Sequence, residues 1–411
     1  MEKSQRIIVI GGGIVGLAIA EKLCAEGKDV TLIEKETIAA GASQGNAAGL
    51  AFSDIMPLAS PGILKKAIKW FLDPLGPFAV VAQDLPHTFG WLLRFLKAAR
   101  PAQFKKSIDV QAALMHLAKD TFPEMLERSN LSSMVRTNGA LHLYETMASY
   151  QTDLEKWQFR KEHNIAFQTY EGDALHSFQP GLSPSFVAGI FASEWQSVSN
   201  PLDFCQALHK HLNEKGVETV YGEVSNLADG LVTLKNGDQL SADKIILAAG
   251  PWSSKLSSKL GDPVPLIGER GYNTTLPKTA FDGLDHTLVF SDHGFVVVPL
   301  SDGVRIGGAS EIAKLDRAAN YKRCKAMMTK ATRLLPELKT NDGVEWMGAR
   351  PAVPDTLPVI SYASRSKNII YTFGHGHLGL TQSSATAQLV CELVDNQETS
   401  IDITALRVNR F

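Results

Sequence analysis

Glycines near the start of the chain are spaced for contact with a phosphate group. Gly11, Gly13 and Gly16 follow the pattern Gly-x-Gly-x-x-Gly, and an acidic residue, Glu34, follows in the same segment. In such a pattern the first glycine makes a tight turn, the second lets the backbone approach a pyrophosphate, and the third lets a helix pack closely on a strand. The Glu34 carboxylate suits a ribose hydroxyl and would repel a 2′-phosphate. These residues predict a nucleotide site and disfavour NADP.

The segments that carry these glycines have the pattern of a strand, a helix and a second strand. Residues 6–10 form a short β-branched apolar run, apolar residues at helical spacing follow from Val15 to Leu23, and residues 29–33 form another short run that ends on Glu34. A phosphate-binding glycine pattern requires this β-α-β context. A tight turn without a ligand is the alternative. It does not explain the three consecutive glycines or the acid at the end of the second strand.

The next segment, Gly41 to Gly49, consists mainly of small residues. Small side chains let backbone amides press against a ligand, and Ser43 and Asn46 add hydrogen-bonding groups. A flexible surface loop is the alternative interpretation. Because the segment follows the nucleotide-binding unit directly, we favour a binding role.

Two later segments repeat the pattern of a strand that ends in glycine. Residues 244–249 predict a strand that ends in Ala249-Gly250-Pro251-Trp252. Residues 368–373 predict another strand, which continues through the glycine-rich segment 374–381 into a helix that ends near Val394. Both strand ends are expected to approach the ligand of the nucleotide-binding sheet. The start of the last helix would place backbone amides and the positive end of its dipole against an anion.

Few side chains outside the glycine motifs suggest chemistry. Arg350 lies in a segment rich in proline, 348–358, that predicts a stiff loop, and its planar guanidinium suits bidentate binding of a carboxylate. A surface arginine in a salt bridge is an equal alternative. His375 and His377 lie two residues apart on a glycine loop with no carboxylate or thiolate nearby in the sequence. Such a pair is a poor set of metal ligands, and we predict no metal site.

Length and composition describe an ordinary globular protein. The chain has 411 residues, a net charge of -2, 44% hydrophobic residues and 20% charged residues. Two domains are therefore expected, and no nucleic-acid partner. Cys24, Cys205, Cys324 and Cys391 form no CxxC pair and no plausible disulfide framework, which predicts a reducing compartment. The apolar run at 7–20 resembles a signal peptide, but the predicted strand and helix account for it, and a cytoplasmic location is expected.

The stretch 61–106 is helical, aromatic and locally basic. Its 8 lysines and arginines stand against 2 aspartates, with aromatic residues such as Trp70 and Trp91 between them. A basic amphipathic helix can lie on a membrane surface. A solvated helix face over a core is the more usual explanation. Peripheral contact with the inner face of the cytoplasmic membrane through 61–106 is a hypothesis from composition.

A second set of segments predicts an antiparallel sheet. The candidate strands cover 134–144 (with a turn at Asn138-Gly139), 186–192, 265–276, 287–300 and 304–309. They follow one another with hairpin signals rather than helical crossovers. This order favours an antiparallel sheet in a domain of its own.

The two predicted domains are interleaved along the chain. The fold class is α/β and α+β, with a Rossmann-like nucleotide-binding domain and an antiparallel-sheet substrate domain. The first domain is assigned 1–51, 196–264 and 340–411, and the second 52–195 and 265–339. Further elements are predicted as helices at 109–128 and 202–215, a strand at 217–224 and a hairpin at 231–240 that turns at Asn236-Gly237.

Five motifs, in chain order, carry a resemblance along nearly the whole sequence: VIGGGIVGLAIA with Glu34, GASQGNAAG, ILAAGPWS, GARPAVPD and GHGHLGLT. They resemble the FAD-dependent D-amino acid oxidase and dehydrogenase family, and within it bacterial D-amino acid and hydroxyproline dehydrogenases most of all. The resemblance implies an FAD-binding first domain. It also implies dissociable FAD, because the last loop lacks the cysteine of relatives that attach flavin covalently. The residues it assigns to FAD are Gly11, Gly13, Ile14, Val15, Gly16, Glu34, Lys35, Ala42, Ser43, Asn46, Ala47, Ala48, Gly49, Leu50, Val224, Ala249, Gly250, Trp252, Gly348, Gly376, His377, Leu378, Gly379, Leu380 and Thr381.

The resemblance also implies a substrate site. Arg350 matches the arginine that binds the substrate carboxylate, His377 lies where the family loop meets the substrate amine, usually as glycine, and Tyr272 lies where the second sheet covers the flavin. The implied reaction is dehydrogenation of a D-amino acid, such as D-proline or hydroxyproline, by hydride transfer from Cα to flavin N5. The substrate binds with a neutral amine, so no protein base is needed. The product is an imino acid and then a 2-oxo acid.

Other functions fit the same residues. Arg350 recognises any carboxylate, so the substrate could be another secondary amine or a 2-hydroxy acid. The chain could also be a flavin electron-transfer subunit of a heteromeric complex. A pyridine-nucleotide dehydrogenase is disfavoured, because only one Gly-x-Gly-x-x-Gly unit is present. The electron acceptor is either dioxygen or a membrane quinone, and no motif decides between them.

Overall fold

The computed structural model describes residues 5–63, 76 and 78–411 of the chain. Residues 64–75 and 77, which belong to the predicted basic stretch, lie outside the described residues. The strands, in chain order, are β1 (Arg6–Ile10), β2 (Asp29–Glu34), β3 (Gly49–Leu50), β4 (Phe78–Val80), β5 (Val135–Thr137), β6 (Ala140–Tyr144), β7 (Gln168–Glu171), β8 (Ala188–Ala192), β9 (Gln196–Val198), β10 (Glu218–Tyr221), β11 (Val224–Ala228), β12 (Leu231–Leu234), β13 (Gln239–Ser241), β14 (Lys244–Leu247), β15 (Ile267–Pro277), β16 (Thr287–Phe290), β17 (Phe295–Pro299), β18 (Gly303–Ile312), β19 (Val344–Ala352), β20 (Val359–Ala363) and β21 (Ser366–Phe373). The helices of the described residues are α1 (Ile14–Ala25), α2 (Leu85–Ala98), α3 (Pro101–Ser129), α4 (Met147–Glu162), α5 (Asp173–Phe178), α6 (Pro201–Glu214), α7 (Ser253–Lys259), α8 (Lys322–Leu334) and α9 (Ser383–Val394).

The glycine-marked strands form one largely parallel sheet. Six strands pair in the order β10-β2-β1-β14-β21-β20, and every neighbouring pair is parallel except β20 with β21. Ile7, Ile8, Val9 and Ile10 of β1 are all buried, as expected of a parallel strand covered on both faces. Helix α1 packs against α6 and α9. The predicted β-α-β unit and the later strands that end in glycine are confirmed.

A second, larger sheet covers the first domain. Nine strands form it, in the order β19-β15-β18-β17-β16-β6-β8-β7, with β4 paired to β18 outside this path. Its pairs are antiparallel apart from β16 with β6 and β18 with β4. The predicted fold class, a Rossmann-like domain with a mainly antiparallel second domain, is confirmed.

Two predictions about individual strands are wrong. The segment 287–300, predicted as one strand, is the hairpin β16-β17, because Gly294 with a φ of 66° permits a turn between two apolar runs. Asn138-Gly139 does not close a hairpin either. Strand β5 before it pairs with β9, and β6 after it pairs with β8. Gly139 instead lies against Phe191, at a distance where a side-chain carbon would be 2.2 Å from the ring.

The predicted hairpin at Asn236-Gly237 is confirmed as β12 and β13, with Gly237 at a φ of 96°. The assignment of chain segments to two domains stays a prediction. Strand β19 lies in the segment assigned to the nucleotide-binding domain, and it hydrogen-bonds to β15 of the nine-stranded sheet. None of the helices in 5–63 or 78–411 is both long enough and apolar enough to cross a membrane.

Candidate active site

A cavity of about 930 Å³ is lined by residues of both large sheets. Its lining includes Gly11 and Glu34 of the β-α-β unit as well as Arg350 and His377. The predicted site residues that line it are Gly11, Gly13, Ile14, Val15, Glu34, Lys35, Ala42, Ser43, Asn46, Ala47, Val224, Ala249, Gly250, Trp252, Tyr272, Gly348, Arg350, Gly376, His377, Gly379 and Leu380. The fold therefore brings motifs that are distant in the sequence together at one cavity.

Six predicted cofactor residues do not line this cavity: Gly16, Ala48, Gly49, Leu50, Leu378 and Thr381. Gly16 packs α1 on β1, since a side-chain carbon there would lie 1.9 Å from the carbonyl oxygen of Gly11. Ala48 and Leu50 are fully buried. The Thr381 hydroxyl accepts a hydrogen bond from the Ala51 amide at 3.0 Å, which ties the last loop to the chain just after the small-residue segment. These contacts support the cavity wall, and a direct role with the cofactor stays a prediction.

The turn after β1 requires glycine for two reasons. Gly11 has a φ of 114°, and a side-chain carbon there would lie 2.4 Å from the carbonyl oxygen of Ala248 in the neighbouring chain segment. The Gly12 amide donates to the Glu34 carboxylate at 2.7 Å. The Ile14 amide at the start of α1 donates to the Ser43 hydroxyl at 3.0 Å. The turn, the acid and the small-residue segment are thus fixed to one another around the helix start.

The small-residue segment is also anchored to the nine-stranded sheet. Arg305 donates from Nη1 to the carbonyl oxygen of Asn46 at 2.8 Å, and Asn273 donates from Nδ2 to the carbonyl oxygen of Gly45 at 2.8 Å. Trp346 lies against Gly45, where a side-chain carbon would be 2.3 Å from its ring. Arg305, Asn273 and Trp346 all line the cavity. Sequence reasoning missed them, because strand register decides which residues of an antiparallel strand face a ligand.

Arg350 lies on a strand rather than in the stiff loop that its prolines predicted. Strand β19 is the edge of its sheet, where Pro351 can be accommodated without breaking a ladder between two strands. Arg350 faces Glu269 of β15 in register, and its Nη1 donates to Glu269 Oε1 at 2.9 Å. Among the described residues, no acceptor lies within hydrogen-bonding distance of its Nε or Nη2. Arg350 thus forms the salt bridge that was the alternative interpretation and also lines the cavity, and its role in binding a substrate carboxylate stays a prediction.

Glu269 is a functional candidate that sequence reasoning missed. Its Oε1 also accepts a hydrogen bond from the Ser310 hydroxyl at 2.8 Å. Burial raises the pKa of the Glu269 carboxyl, but Arg350, His377 and the Ser310 hydrogen bond together hold that pKa below its ordinary value. A buried carboxylate beside an arginine is therefore ionised at neutral pH. The only signal in the sequence was an acid inside an apolar strand pattern.

Gly271 and Tyr272 have different roles in the same strand. A side-chain carbon at Gly271 would lie 2.4 Å from Arg350 Nη2, so the guanidinium lies directly over this glycine. Tyr272 lines the cavity, but its hydroxyl donates to Glu311 at 2.7 Å and accepts from the Asn320 amide at 3.1 Å. The Tyr272 hydroxyl is thus committed to a buried network, and a direct contact with substrate through it is disfavoured.

The last glycine loop is fastened to the strand that carries Arg350. His375 forms a β-bridge with Ala352, and the Gly376 amide donates to the carbonyl oxygen of Pro351 at 2.9 Å. The buried His375 ring lies 3.0 Å from the Thr386 hydroxyl, and burial lowers its pKa to about 3. His377, in contrast, is exposed to the cavity. Within the described residues, no group of three or more His, Cys, Asp or Glu side chains is arranged to hold a metal ion.

The residues present fit a dinucleotide that ends in a flat ring system. Gly11 and Gly13 leave room for a pyrophosphate at the start of α1, whose first amides have no partner within the helix, and Glu34 suits a ribose. Trp252 also lines the cavity, with the Lys35 ammonium 3.7 Å from its ring centroid. The residues that line the same cavity also include Arg350. Fold and site together define a dinucleotide-binding oxidoreductase.

The chain belongs to the family of FAD dependent oxidoreductases, whose model matches residues 6–393. It is 30% identical to a D-amino-acid oxidase of Bradyrhizobium diazoefficiens over 424 residues, covering 100% of both chains. It is 26% identical to a D-amino acid dehydrogenase of the same organism, covering 99% of each chain. Its fold is similar to that of a glycine oxidase from Geobacillus kaustophilus, with a TM-score of 0.79, 19% identity, and coverage of 99% and 100% of the two chains. The predicted family, the FAD cofactor and the enzymatic nature of the chain are confirmed.

Proposed function

We propose that the chain dehydrogenates a D-amino acid, with the cyclic imino acids D-proline and hydroxyproline as the first candidates. The observation that carries this proposal is the arrangement at Arg350. Its guanidinium is held by Glu269 through Nη1, while Nε and Nη2 are left for a ligand at the cavity wall. An arginine with one free edge suits bidentate binding of a carboxylate. Two relatives that cover nearly the whole chain bear the names D-amino-acid oxidase and D-amino acid dehydrogenase.

The residues of the chain act mainly by orientation. Arg350 holds the carboxylate, and the loop that carries His377 meets the other side of the reacting carbon. FAD, when bound, supplies the acceptor for the two electrons and the Cα hydrogen. Glycines at 11 and 13 and the Glu34 carboxylate would hold its ADP portion. The glycine loop before α9, which lines the cavity at Gly376, His377 and Gly379, would face the flavin edge, where backbone amides favour negative charge.

An acidic group beside Arg350 favours an amine over a 2-hydroxy acid as the substrate. The ionised Glu269 attracts an ammonium group, whereas it offers a neutral hydroxyl only a hydrogen-bond acceptor. A carboxylate with an adjacent ammonium therefore matches the charges of Arg350 and Glu269 together. This argument ranks amino acids above the 2-hydroxy acids that Arg350 alone would also accept.

Apolar side chains also line the cavity. Trp91 and Phe95 of α2 are stacked with their ring centroids 5.2 Å apart, and the Trp91 indole donates to the carbonyl oxygen of Ala352 at 3.1 Å. Both rings and Phe78 line the cavity. This wall suits the hydrocarbon part of an amino acid, including a five-membered ring.

The electron acceptor is proposed to be a quinone reached at an anionic membrane surface. Helix α2 carries large apolar side chains on its outer face: Leu85 is 42% exposed, Phe89 55%, Leu93 53% and Leu96 36%. They recur at helical spacing, on the helix whose other face borders the cavity. Exposed basic residues accompany them at Arg94, Lys97, Arg100, Lys105 and Lys106. A basic amphipathic helix of this kind matches the surface of an anionic bilayer.

The proposed function is tested on the purified holoprotein by its visible spectrum. The protein should be yellow, and anaerobic addition of D-proline, cis-4-hydroxy-D-proline or another D-amino acid should bleach it. The compound that bleaches it fastest identifies the substrate. A yellow protein that no D-amino acid bleaches, but that a 2-hydroxy acid or another amine does, would overturn the proposal. A protein active only with added partner chains would favour an electron-transfer subunit.

A further inference from the structure

His377 lies among charged groups that come from four separate elements. Glu269 on β15, Arg350 on β19 and Asp54 in the loop after β3 all act electrostatically on its ring. Arg160 on α4 lies 3.8 Å from Asp54 and belongs to the same group. His375, on the same loop as His377, is buried and neutral. The charges around His377 are therefore two carboxylates and two guanidinium groups.

These surroundings leave His377 neutral and able to accept a proton. Although the His377 ring is open to the cavity, the surrounding protein desolvates it and lowers its pKa; Glu269 and Asp54 oppose this effect and Arg350 adds to it. Glu269 is ionised, because its own pKa is held down. The Asp54 side chain is partly exposed, but desolvation by the protein around it raises its pKa, although Arg160 and His377 oppose the shift. A neutral imidazole beside the ionised Glu269 and the Asp54 carboxyl can take up a proton and be stabilised as the cation.

A small chamber lies beside His377, lined by apolar side chains and a few polar ones. Its volume is about 40 Å³, and Asp54, Glu269 and His377 line it. Gln111 Oε1 and Thr356 Oγ1 are buried without a hydrogen-bond partner, and both residues line the same chamber. A chamber of this size with unpaired polar atoms suits an ordered water molecule. Water there would connect His377 with Asp54.

We propose that His377 removes a proton from the substrate ammonium while Glu269 binds that ammonium and Arg350 binds the carboxylate. This inference rests on the proposed function. An N–H bond of the ammonium breaks, its electron pair stays on the nitrogen, and a new N–H bond forms on the imidazole. The substrate becomes the neutral amine that oxidation requires, and Asp54 stabilises the imidazolium. The enzyme therefore accepts the zwitterion and does not depend on the scarce neutral form in solution.

The decisive measurement is the rate constant of flavin reduction by the substrate as a function of pH, in anaerobic stopped flow. We compare the wild type, His377→Gln and His116→Gln, an exposed histidine on α3 that serves as the control. For the wild type and the control, the rate constant of flavin reduction should change little between about pH 7 and 9. For His377→Gln it should fall about tenfold for each pH unit below the pKa of the free amine. Added imidazole should restore part of the loss. Parallel profiles for His377→Gln and the wild type overturn the inference.

A binding measurement tests the role of Glu269 without turnover. 2-Aminoisobutyrate has no Cα hydrogen and cannot be oxidised, and isobutyrate lacks the amine. Glu269→Gln, which keeps an oxygen for Arg350, should weaken the binding of 2-aminoisobutyrate at least tenfold and leave the binding of isobutyrate nearly unchanged. Arg350→Lys should weaken the binding of both ligands. Equal weakening of both ligands by Glu269→Gln overturns the ammonium site. If no amino acid reduces the wild-type flavin, the proposed function itself fails, whereas reduction with parallel pH profiles refutes only this inference.

Discussion

Glu269 and Arg350 face each other across strands β15 and β19, with Arg350 Nη1 donating to Glu269 Oε1 at 2.9 Å. The carboxylate holds one side of the guanidinium and leaves the other side for a ligand at the cavity wall. Ser310 donates to the same carboxylate oxygen, so the acid itself is fixed. A partly buried ion pair of this kind fixes the orientation of the guanidinium more than it contributes to stability. Substitutions at Arg350 and Gly271 test whether this orientation matters for substrate binding.

Replacing Arg350 with alanine should lower kcat/KM for the amino acid about a hundredfold or more, because each hydrogen bond to a charged group contributes about 1.5–3 kcal/mol. Arg350→Lys should recover only part of the loss, since an ammonium lacks the planar fork. Steady-state kinetics with the substrate found by flavin bleaching provide the measurement. Flavin content and melting temperature are the controls for folding. Wild-type kinetics in Arg350→Ala would remove the basis of the proposed substrate site.

Adding one methyl group at Gly271 should displace Arg350 without changing any charge. The new carbon would lie 2.4 Å from Arg350 Nη2, which forces the guanidinium away from its position. We expect Gly271→Ala to raise KM about tenfold or more while FAD stays bound, because orientation of the carboxylate is lost. Gly90→Ala is the matched control, since a side-chain carbon there meets nothing within 4 Å. Equal KM values in the two variants would contradict the role given to Gly271.

The parts of this site that the sequence could predict are those encoded by local backbone geometry. Glycines with the spacing of Gly11 and Gly16 predict a strand-to-helix turn in any sequence, because the turn itself requires glycine at these positions. Glu269 was not predictable, since its function depends on its pairing with Arg350 across 81 positions of the chain. The same reason explains why the sequence predicts a loop at Arg350, which lies on a strand. Neither the register of β15 with β19 nor the edge position of β19 can be read from the prolines nearby.

The hairpin β16-β17 shows a second limit. Residues 287–300 are apolar at both ends, and the polar residues in the middle were not recognised as a turn, so a single strand was predicted. Gly294 at a φ of 66° was the signal that could have separated the two strands. Strand pairing in the sheet decides whether such a segment forms one strand or two, because each of the two short strands pairs with its own neighbouring strands.

Stability should fall as the pH is lowered, and His142 should account for part of the loss. Burial first and Arg160 second lower its pKa from 6.5 to about 4. Between these values the unfolded chain binds a proton that the folded chain does not, so the free energy of unfolding decreases as the pH falls and changes no further below about 4. At pH 5 the loss amounts to about 2 kcal/mol.

The substitution His142→Phe tests this pH dependence. The His142 Nε2 has no hydrogen-bond partner, and the ring lies 5.0 Å from the Trp157 ring, so phenylalanine fits the same aromatic surroundings. The variant should gain stability over the wild type at pH 5 and gain less at pH 8. Denaturant unfolding of the holoprotein at both pH values provides the measurement. An equal change at the two pH values would show that His142 does not titrate in this range.

Membrane contact through α2 predicts that the double variant Phe89→Glu, Leu93→Glu binds anionic vesicles at least tenfold more weakly than the wild type. Burying each of these side chains contributes about 1.5–3 kcal/mol, and a nearby acid also opposes the attraction of Arg94 and Lys97 to the lipid. Sedimentation with vesicles that contain phosphatidylglycerol is the measurement, and reduction of a quinone analogue in those vesicles should fall in parallel. Met147→Glu, Val344→Glu is the control, because both side chains are exposed and lie outside α2. If the wild type does not sediment with anionic vesicles and the two double variants give the same result, the outer face of α2 does not bind lipid.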